Sequence, residues 1–319
     1  MTLMTEKIMK ALRFREYGSL DNVRMLACEL RRPGPHEVRV RIEFAGANPL
    51  DLKLLSGQMA TIFPLDFAYT VGTDISGVVE ATGELVQRFK CGDRVFGRLD
   101  ARVGGAFAEY AIAPEHGLCP IPEAVDFKSA AALPTAAGTA WLALFDIGCL
   151  RVKQKILIHA ASGGVGSFAV QLAKLAGAYV IATASLENHE LIKNLGADEV
   201  IDYKKDDFTQ HVTDVDLVLD PIGGETQERS WSVIKPDGVL VSLIDRVIGN
   251  RGDIRGKIRG AFAPLANNSA TLHGIALLVA SGQLKVVVDR VYRFEQAGSA
   301  LEHVASGHSV GKVLVHVAG

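Results

Sequence analysis

The chain has 319 residues, enough for two domains that each bury a core. Its 48% hydrophobic and 22% charged content is that of a globular protein, and a formal charge of −2 supplies no basic field for nucleic acid. No apolar run approaches the ~20 residues that cross a bilayer, and Met1 to Lys7 lack the apolar core of a signal peptide.

Taken in order, the chain opens with strands. Lys10–Phe14 is followed by Glu37–Phe44, whose apolar and charged positions alternate cleanly after a Gly34-Pro35 turn. Asn48-Pro-Leu-Asp-Leu-Lys53 places Pro49 to begin a short helix. Tyr69 to Glu80 runs from loop into strand, and Cys91–Phe96 and Phe107–Ile112 add two more. Many short strands with glycine turns ahead of any long helix predict a compact β-barrel over residues 1–127. The alanine-rich stretch Ser129 to Leu144 then begins a helical pattern.

The next stretch organises the remainder. Ile156-Leu-Ile158 reads as a strand buried on both faces, Ala160 to Gly166 as a small-residue turn, and Val165 to Ala176 as a helix. Strand, glycine turn and helix in that order form an anion site, because free amides at the helix start point at a pyrophosphate. Ser162, Gly163, Gly164, Val165 and Gly166 are the residues of that turn, in an Ala-x-Gly-x-x-Gly pattern with Ala161 at the first position. A glycine cluster alone fits an ordinary tight turn equally well; the context decides. Strands follow at Tyr179–Ser185, Val200–Tyr203, Leu217–Asp220 and Val239–Leu243, separated by helical segments. This alternation predicts an α/β, doubly wound parallel sheet over residues 128–270, with a dinucleotide as ligand.

Which dinucleotide depends on the end of the second strand. A carboxylate there holds the ribose hydroxyls of NAD, whereas a 2'-phosphate needs neutral donors or cations. The strand ends Thr183-Ala184-Ser185 with no acid at its tip, and Ser185, Asn188 and Tyr203 offer donors. Glu187 stands two residues later, Ser185 also suits the N-cap of the next helix, and neutralisation of the phosphate falls to Lys204 or Lys205. NADPH is therefore the expected cofactor. Beyond it, Arg246 to Arg259 reads as a basic loop, Lys257 to Pro264 as an edge strand, and residues 271–319 as a return segment completing the first domain.

With these pieces placed, the chain resembles the zinc-free quinone oxidoreductase (zeta-crystallin-like) branch of the medium-chain dehydrogenase/reductase superfamily. The resemblance rests on Asn48-Pro-x-Asp51, Gly72-Thr-Asp-x-x-Gly77, Gly92-Asp-Arg-Val95, Leu133-Pro-x-Ala-x-Gly-Thr-Ala140, Ala161-Ser-Gly-Gly-Val-Gly166, Leu195-Gly-Ala-Asp198 and Gly311-Lys312. It implies a GroES-like catalytic domain beside a Rossmann domain, a homodimer, Thr139 near the nicotinamide, and Leu243 and Lys312 near the cofactor.

The chemistry then turns on metal. Zinc members carry a cysteine near the position of Asn48, a His-Glu pair near Thr73-Asp74 and a four-cysteine lobe, and this sequence has none of them. Cys28, Cys91, Cys119 and Cys149 are scattered without a Cys-x-x-Cys pair, which fits reduced thiols in a cytoplasm; Cys91 and Cys119 are each expected to be buried and inert. No metal is expected, which leaves reduction of a quinone or enone, whose developing oxyanion needs hydrogen-bond donors. Asn48 is the first candidate donor, with capping of the Pro49 helix as its alternative role. Lys53 matches a lysine of enone-reducing members, and is otherwise a solvated helix residue. Tyr69 either donates its phenol or packs, and Asp51 orients Lys53 or the backbone. His159 and His308 read as structural. An NADPH-binding regulatory or structural protein with little turnover is the alternative function. RNA binding through Arg246 to Arg259 is disfavoured because no aromatic residue for base stacking precedes Phe262.

Overall fold

A computed structural model describes residues 8–246, 248–253, 256–264 and 268–318. The chain divides into two units: Met1–Thr135, Asn267–Ser281 and Val288–Gly319 form the first, Ala136–Ala266 and Gly282–Val287 the second.

The first unit is built from β-strands because its sequence alternates. Glu37–Ala47 is the central strand: Val38, Val40 and Ile42 are fully buried while the charged residues between them face outward. It pairs antiparallel with Asp74–Thr82, Tyr110–Pro114 and Lys312–His316. The sheet continues through Arg94–Arg98 to Leu118–Pro120 on one side and Val288–Arg293 on the other. A three-stranded sheet of Arg24–Glu29, Ile8–Phe14 and Tyr69–Thr70 completes the unit.

Among the described residues the second unit carries six parallel strands, in the order Glu199–Asp202, Tyr179–Ala184, Lys155–Ile158, Val215–Asp220, Ile234–Ser242, Gly256–Phe262. This is the doubly wound order in which the first strand lies at the centre and the chain reverses beside it. Ile156, Leu157 and Ile158 are fully buried, as an apolar run at that position requires.

Three boundaries differ from the sequence reading. The first division falls after Thr135 instead of at 127, because the helix Phe127–Ala131 belongs to the first unit, where the Phe127 carbonyl accepts from Ser76 Oγ at 2.6 Å. Pro134 then breaks the alanine-rich stretch, and a new helix, Pro134–Trp141, widens into a π-helical turn at Leu142–Ile147. Residues 282–287 leave the return segment for the second unit, where Gln171 clamps Lys285 through paired amide bonds of 2.7 and 3.0 Å.

The segment Arg246 to Arg259 is not all loop: Arg251–Asp253 forms an antiparallel edge strand on Gly256–Phe262, so the latter is interior to the sheet. Val247, Ile254 and Arg255 of that segment, like Met1 to Lys7, lie outside the described residues.

Candidate functional site

Chemistry-bearing residues gather in two places, one in each unit. In the first unit the gathering point is Asp74, which is fully buried on its strand. Its carboxylate accepts from the Thr135 amide (3.1 Å), the Thr135 hydroxyl (2.6 Å) and Asn48 Nδ2 (3.0 Å). Lys312 Nζ lies 3.8 Å away, and Arg98 is the cross-strand partner. Lys312 is itself buried and donates to the Ala47 carbonyl at 2.9 Å and to Asn48 Oδ1. Burial lowers the pKa of its ammonium, while Asp74 and Asp51 oppose that shift. Gly46 lets the strand pass: a Cβ there would lie 2.8 Å from the Ala131 carbonyl oxygen and 3.1 Å from Asp74 Cβ.

These contacts revise several sequence assignments. Asn48 is 2% exposed, and both ends of its amide are committed, to Asp74 and Gly46 on one side and Lys312 on the other. It is placed as a positioning residue at the N-cap of the Pro49–Leu55 helix, where Asp51 at the third helical position accepts from its amide in a capping box. Lys312, expected to serve the cofactor, spends its donors inside this cluster. Tyr69 is buried with its hydroxyl donating to the Ala101 carbonyl at 2.9 Å and its ring against Phe14, so it packs and does not offer a phenol. Burial raises its pKa further from any proton-transfer range. Lys53 is half-buried, and Asp51 bonds the Asn48 amide (2.8 Å), not Lys53. Of the cysteines, Cys119 is buried, with its thiol pushed up to about 11 by that burial, whereas Cys91 is exposed, contrary to expectation.

Asp51 is a feature that sequence reasoning undervalued. It is 2% exposed, and its Oδ1 finds no hydrogen-bond partner among the described residues. Burial first, with Asp74 adding to it, pushes its carboxyl up to about 7 against the Asn48 amide and Lys312. The folded protein thus holds this proton more tightly than the unfolded chain, where an aspartate titrates near ~4. Stability from the protonated group is complete below ~4 and is lost as pH rises to about 7. Asp51→Asn is expected to flatten that decline and to gain on the wild type above about 7. Urea unfolding of both proteins on either side of that pH is the check; parallel pH dependences would contradict it.

In the second unit the gathering point is the C-terminal edge of the parallel strands. Gly163 precedes the helix Gly164–Leu175 with no side-chain cap, which leaves the first-turn amides without intrahelical acceptors. A Cβ on Gly166 would lie 2.3 Å from the Ala160 carbonyl oxygen, so only glycine lets this turn close. The cradle fits a pyrophosphate. Ser162 and Val165 flank it half-buried, and Leu243 lies at the same edge, its amide bonded to the Asp220 carbonyl at 2.9 Å. Thr139 is buried in the Pro134–Trp141 helix. At the tip of the second strand Ser185 is buried and accepts from Asn188 Nδ2 at 3.1 Å, while Tyr203 is exposed.

Beneath that edge, Asp220 is fully buried and accepts from the amides of Ile222 (2.9 Å) and Gly223 (3.0 Å) and from Gln227 Nε2 (3.0 Å). Its carboxylate therefore shapes the loop that follows its strand. The separation of Asp220 from Gln227 carries no motif that would have marked the pair in the sequence. His159 is structural, as read: Ser230 Oγ donates to the Thr226 carbonyl, so His159 Nε2 donates to Ser230 Oγ and Nδ1 accepts from Thr183. Burial holds its pKa down at about 4 and the ring neutral. His308 is exposed.

Residues 34–123 match the family model described as an alcohol dehydrogenase GroES-like domain, and residues 195–315 the one described as zinc-binding dehydrogenase. A chloroplastic quinone-oxidoreductase homolog of Spinacia oleracea is 32% identical, covering 98% of this chain and 99% of its own. The chain belongs to the quinone oxidoreductase branch of the medium-chain dehydrogenase/reductase superfamily.

As a member of that branch it is an oxidoreductase on an NAD(P)-binding fold, with a GroES-like domain and a Rossmann sheet. The quinone oxidoreductase from Coxiella burnetii has a TM-score of 0.88 at 29% identity, covering 98% of this chain and 100% of the other. The Escherichia coli quinone oxidoreductase complexed with NADPH has a TM-score of 0.87 at 25% identity, with 97% and 100% covered. Although one family description names zinc, no group of three or more His, Cys, Asp or Glu side chains among the described residues is placed to hold a metal ion. Around Asn48 an ammonium stands among the donors, and that set does not suit Zn2+. No helix among the described residues is long and apolar enough to cross a membrane.

Proposed function

We propose that this quinone oxidoreductase relative uses NADPH to reduce a quinone or an α,β-unsaturated carbonyl, without zinc. The observation that carries the reading is the bare helix start at Gly163–Gly166, on the strand edge whose second strand contains no acid and is followed by Ser185 and Asn188, with Tyr203 after the neighbouring strand. Bound NADPH supplies the hydride. The first-turn amides hold the pyrophosphate, and the Ser185 tip receives the adenosine end. Thr139 and Leu243 line the nicotinamide side in this reading. Lys53 remains the candidate donor to the developing oxyanion, and the Asn48 cluster acts by holding the helix that carries it.

The test is steady-state NADPH oxidation with a panel of quinones and enones, run with and without a chelator. Turnover that survives the chelator, in protein containing less than stoichiometric zinc by elemental analysis, is the expected result. Tight NADPH binding with no turnover of any acceptor would favour a regulatory binding protein instead. Assembly as a homodimer is part of the same proposal, and a single-chain mass by sedimentation would remove it.

A further inference from the structure

The tip of the second strand holds more than neutral donors. Glu187 lies in the short turn Leu186–Asn188 that follows Tyr179–Ala184, and Lys204 follows Glu199–Asp202. These strands are parallel neighbours, with Ala184 opposite Asp202, so their ends bring the two side chains together. Lys204 Nζ is 3.2 Å from Glu187 Oε1, with the lysine side chain 52% and the glutamate 66% exposed. The carboxyl of Glu187 is held down at about 2 by its own backbone amide, by Ser185 and by Lys204, while Glu187 holds the Lys204 ammonium up. Both are charged at neutral pH.

The chemistry of this pair is opposed. A carboxylate at the end of the second strand accepts from two ribose hydroxyls and repels a 2'-phosphate; an ammonium there does the reverse. Here the two groups are spent on each other. A pair this exposed contributes little to stability, so it opens at small cost when a better partner arrives. A phosphate dianion is such a partner for Lys204, and the donors of Ser185, Asn188 and Tyr203 stand beside it. Lys205 is exposed on the same turn, and among the described residues the ion pair at this tip is made by Lys204.

We propose that the Glu187–Lys204 ion pair sets the discrimination between phosphorylated and unphosphorylated dinucleotides, Lys204 being the cation that pairs with the 2'-phosphate and Glu187 its internal competitor. This rests on the NADPH reading above and makes it quantitative: preference for NADPH is held below what Lys204 alone would give.

The experiment is titration of the wild type, Lys204→Met and Glu187→Gln with NADPH and with NADH, followed by nicotinamide fluorescence. 2',5'-ADP and 5'-AMP serve as competitors that lack the nicotinamide. Lys204→Met is expected to weaken NADPH and 2',5'-ADP by about tenfold, the worth of one charge-assisted bond, and to leave NADH and 5'-AMP within about twofold. Glu187→Gln is expected to tighten NADPH by about threefold or more and to weaken NADH, because the competitor becomes neutral. Added salt should erode NADPH binding more than NADH binding in the wild type, and the difference should shrink in Lys204→Met. If the wild type prefers NADPH and Lys204→Met keeps the same ratio, the assignment of Lys204 falls while the NADPH reading stands. Should the wild type bind both dinucleotides equally and neither substitution separate them, both fall together.

Discussion

Replacing Lys312 by Met is expected to destabilise the protein by about 3 kcal/mol, because it strands a buried carboxylate without its ammonium. Met keeps the length and apolar bulk of the lysine stem, so the loss reads the charge and the donors rather than a cavity. Asp74 is fully buried, and the same ammonium also serves the Ala47 carbonyl and Asn48 Oδ1. Desolvation of a lone lysine would favour its removal; three acceptors within the cluster outweigh that here. Adding Asp74→Asn to Lys312→Met is expected to recover part of the stability, since the stranded charge then disappears. Denaturant midpoints of the two single variants and the double measure both effects. An unchanged midpoint in Lys312→Met would mean that Thr135, Asn48 and Arg98 carry Asp74 by themselves.

Gly166→Ala should cost the dinucleotide its seat. The added methyl meets the Ala160 carbonyl oxygen at 2.3 Å and the Ala161 Cα at 2.7 Å, both backbone atoms that no rotamer can move aside. The helix start must shift, at about 1–3 kcal/mol for an overpacked site, and the first-turn amides shift with it. Binding of NADPH is expected to weaken by about 10- to 100-fold in consequence. Gly274→Ala is the control, because a Cβ there, in the helix Ser269–Ala280 of the first unit, meets nothing within 4 Å among the described residues. Equal losses in the two variants would show that the helix start is not what the cofactor reads.

The glycine turn and the parallel sheet were legible in the sequence because their signals are local. Three consecutive buried aliphatics, a small-residue turn and a 3.6-residue apolar period all fall within Lys155–Ala176. The split of the alanine-rich stretch at Pro134 was passed over, although a proline inside a helical pattern is a local signal that ends it. The role of Asn48 was not. Its residue type and its place before Pro49 fit a donor or a cap, and what decides is a lysine 264 residues further on that takes the amide oxygen. Tyr69 stayed open between donating and packing for a similar reason: the acceptor of its hydroxyl lies 32 residues away in a stretch without periodicity. Cys91 sits beside a glycine turn with φ of 93°, and turn geometry, not the thiol's preference for burial, set its exposure. Glu187 and Lys204 were each visible as charges, but their pairing needed the parallel register of two strands.

The bond from Lys312 to the Ala47 carbonyl spans 265 residues of sequence. Until strand Lys312–His316 has been synthesised, the flank of Phe44–Ala47 that it covers has no partner, and Asp74 has no ammonium. Most of the second unit, by contrast, lies in the single run 136–266. On the ribosome the two units are therefore out of step: the one begun first is finished last, and its central strand waits as an open template for wrong pairing. Shortening that wait, by a circular permutation that brings the strand Lys312–His316 ahead of Ile8–Phe14, is expected to raise the soluble yield of newly synthesised protein without altering the native contacts.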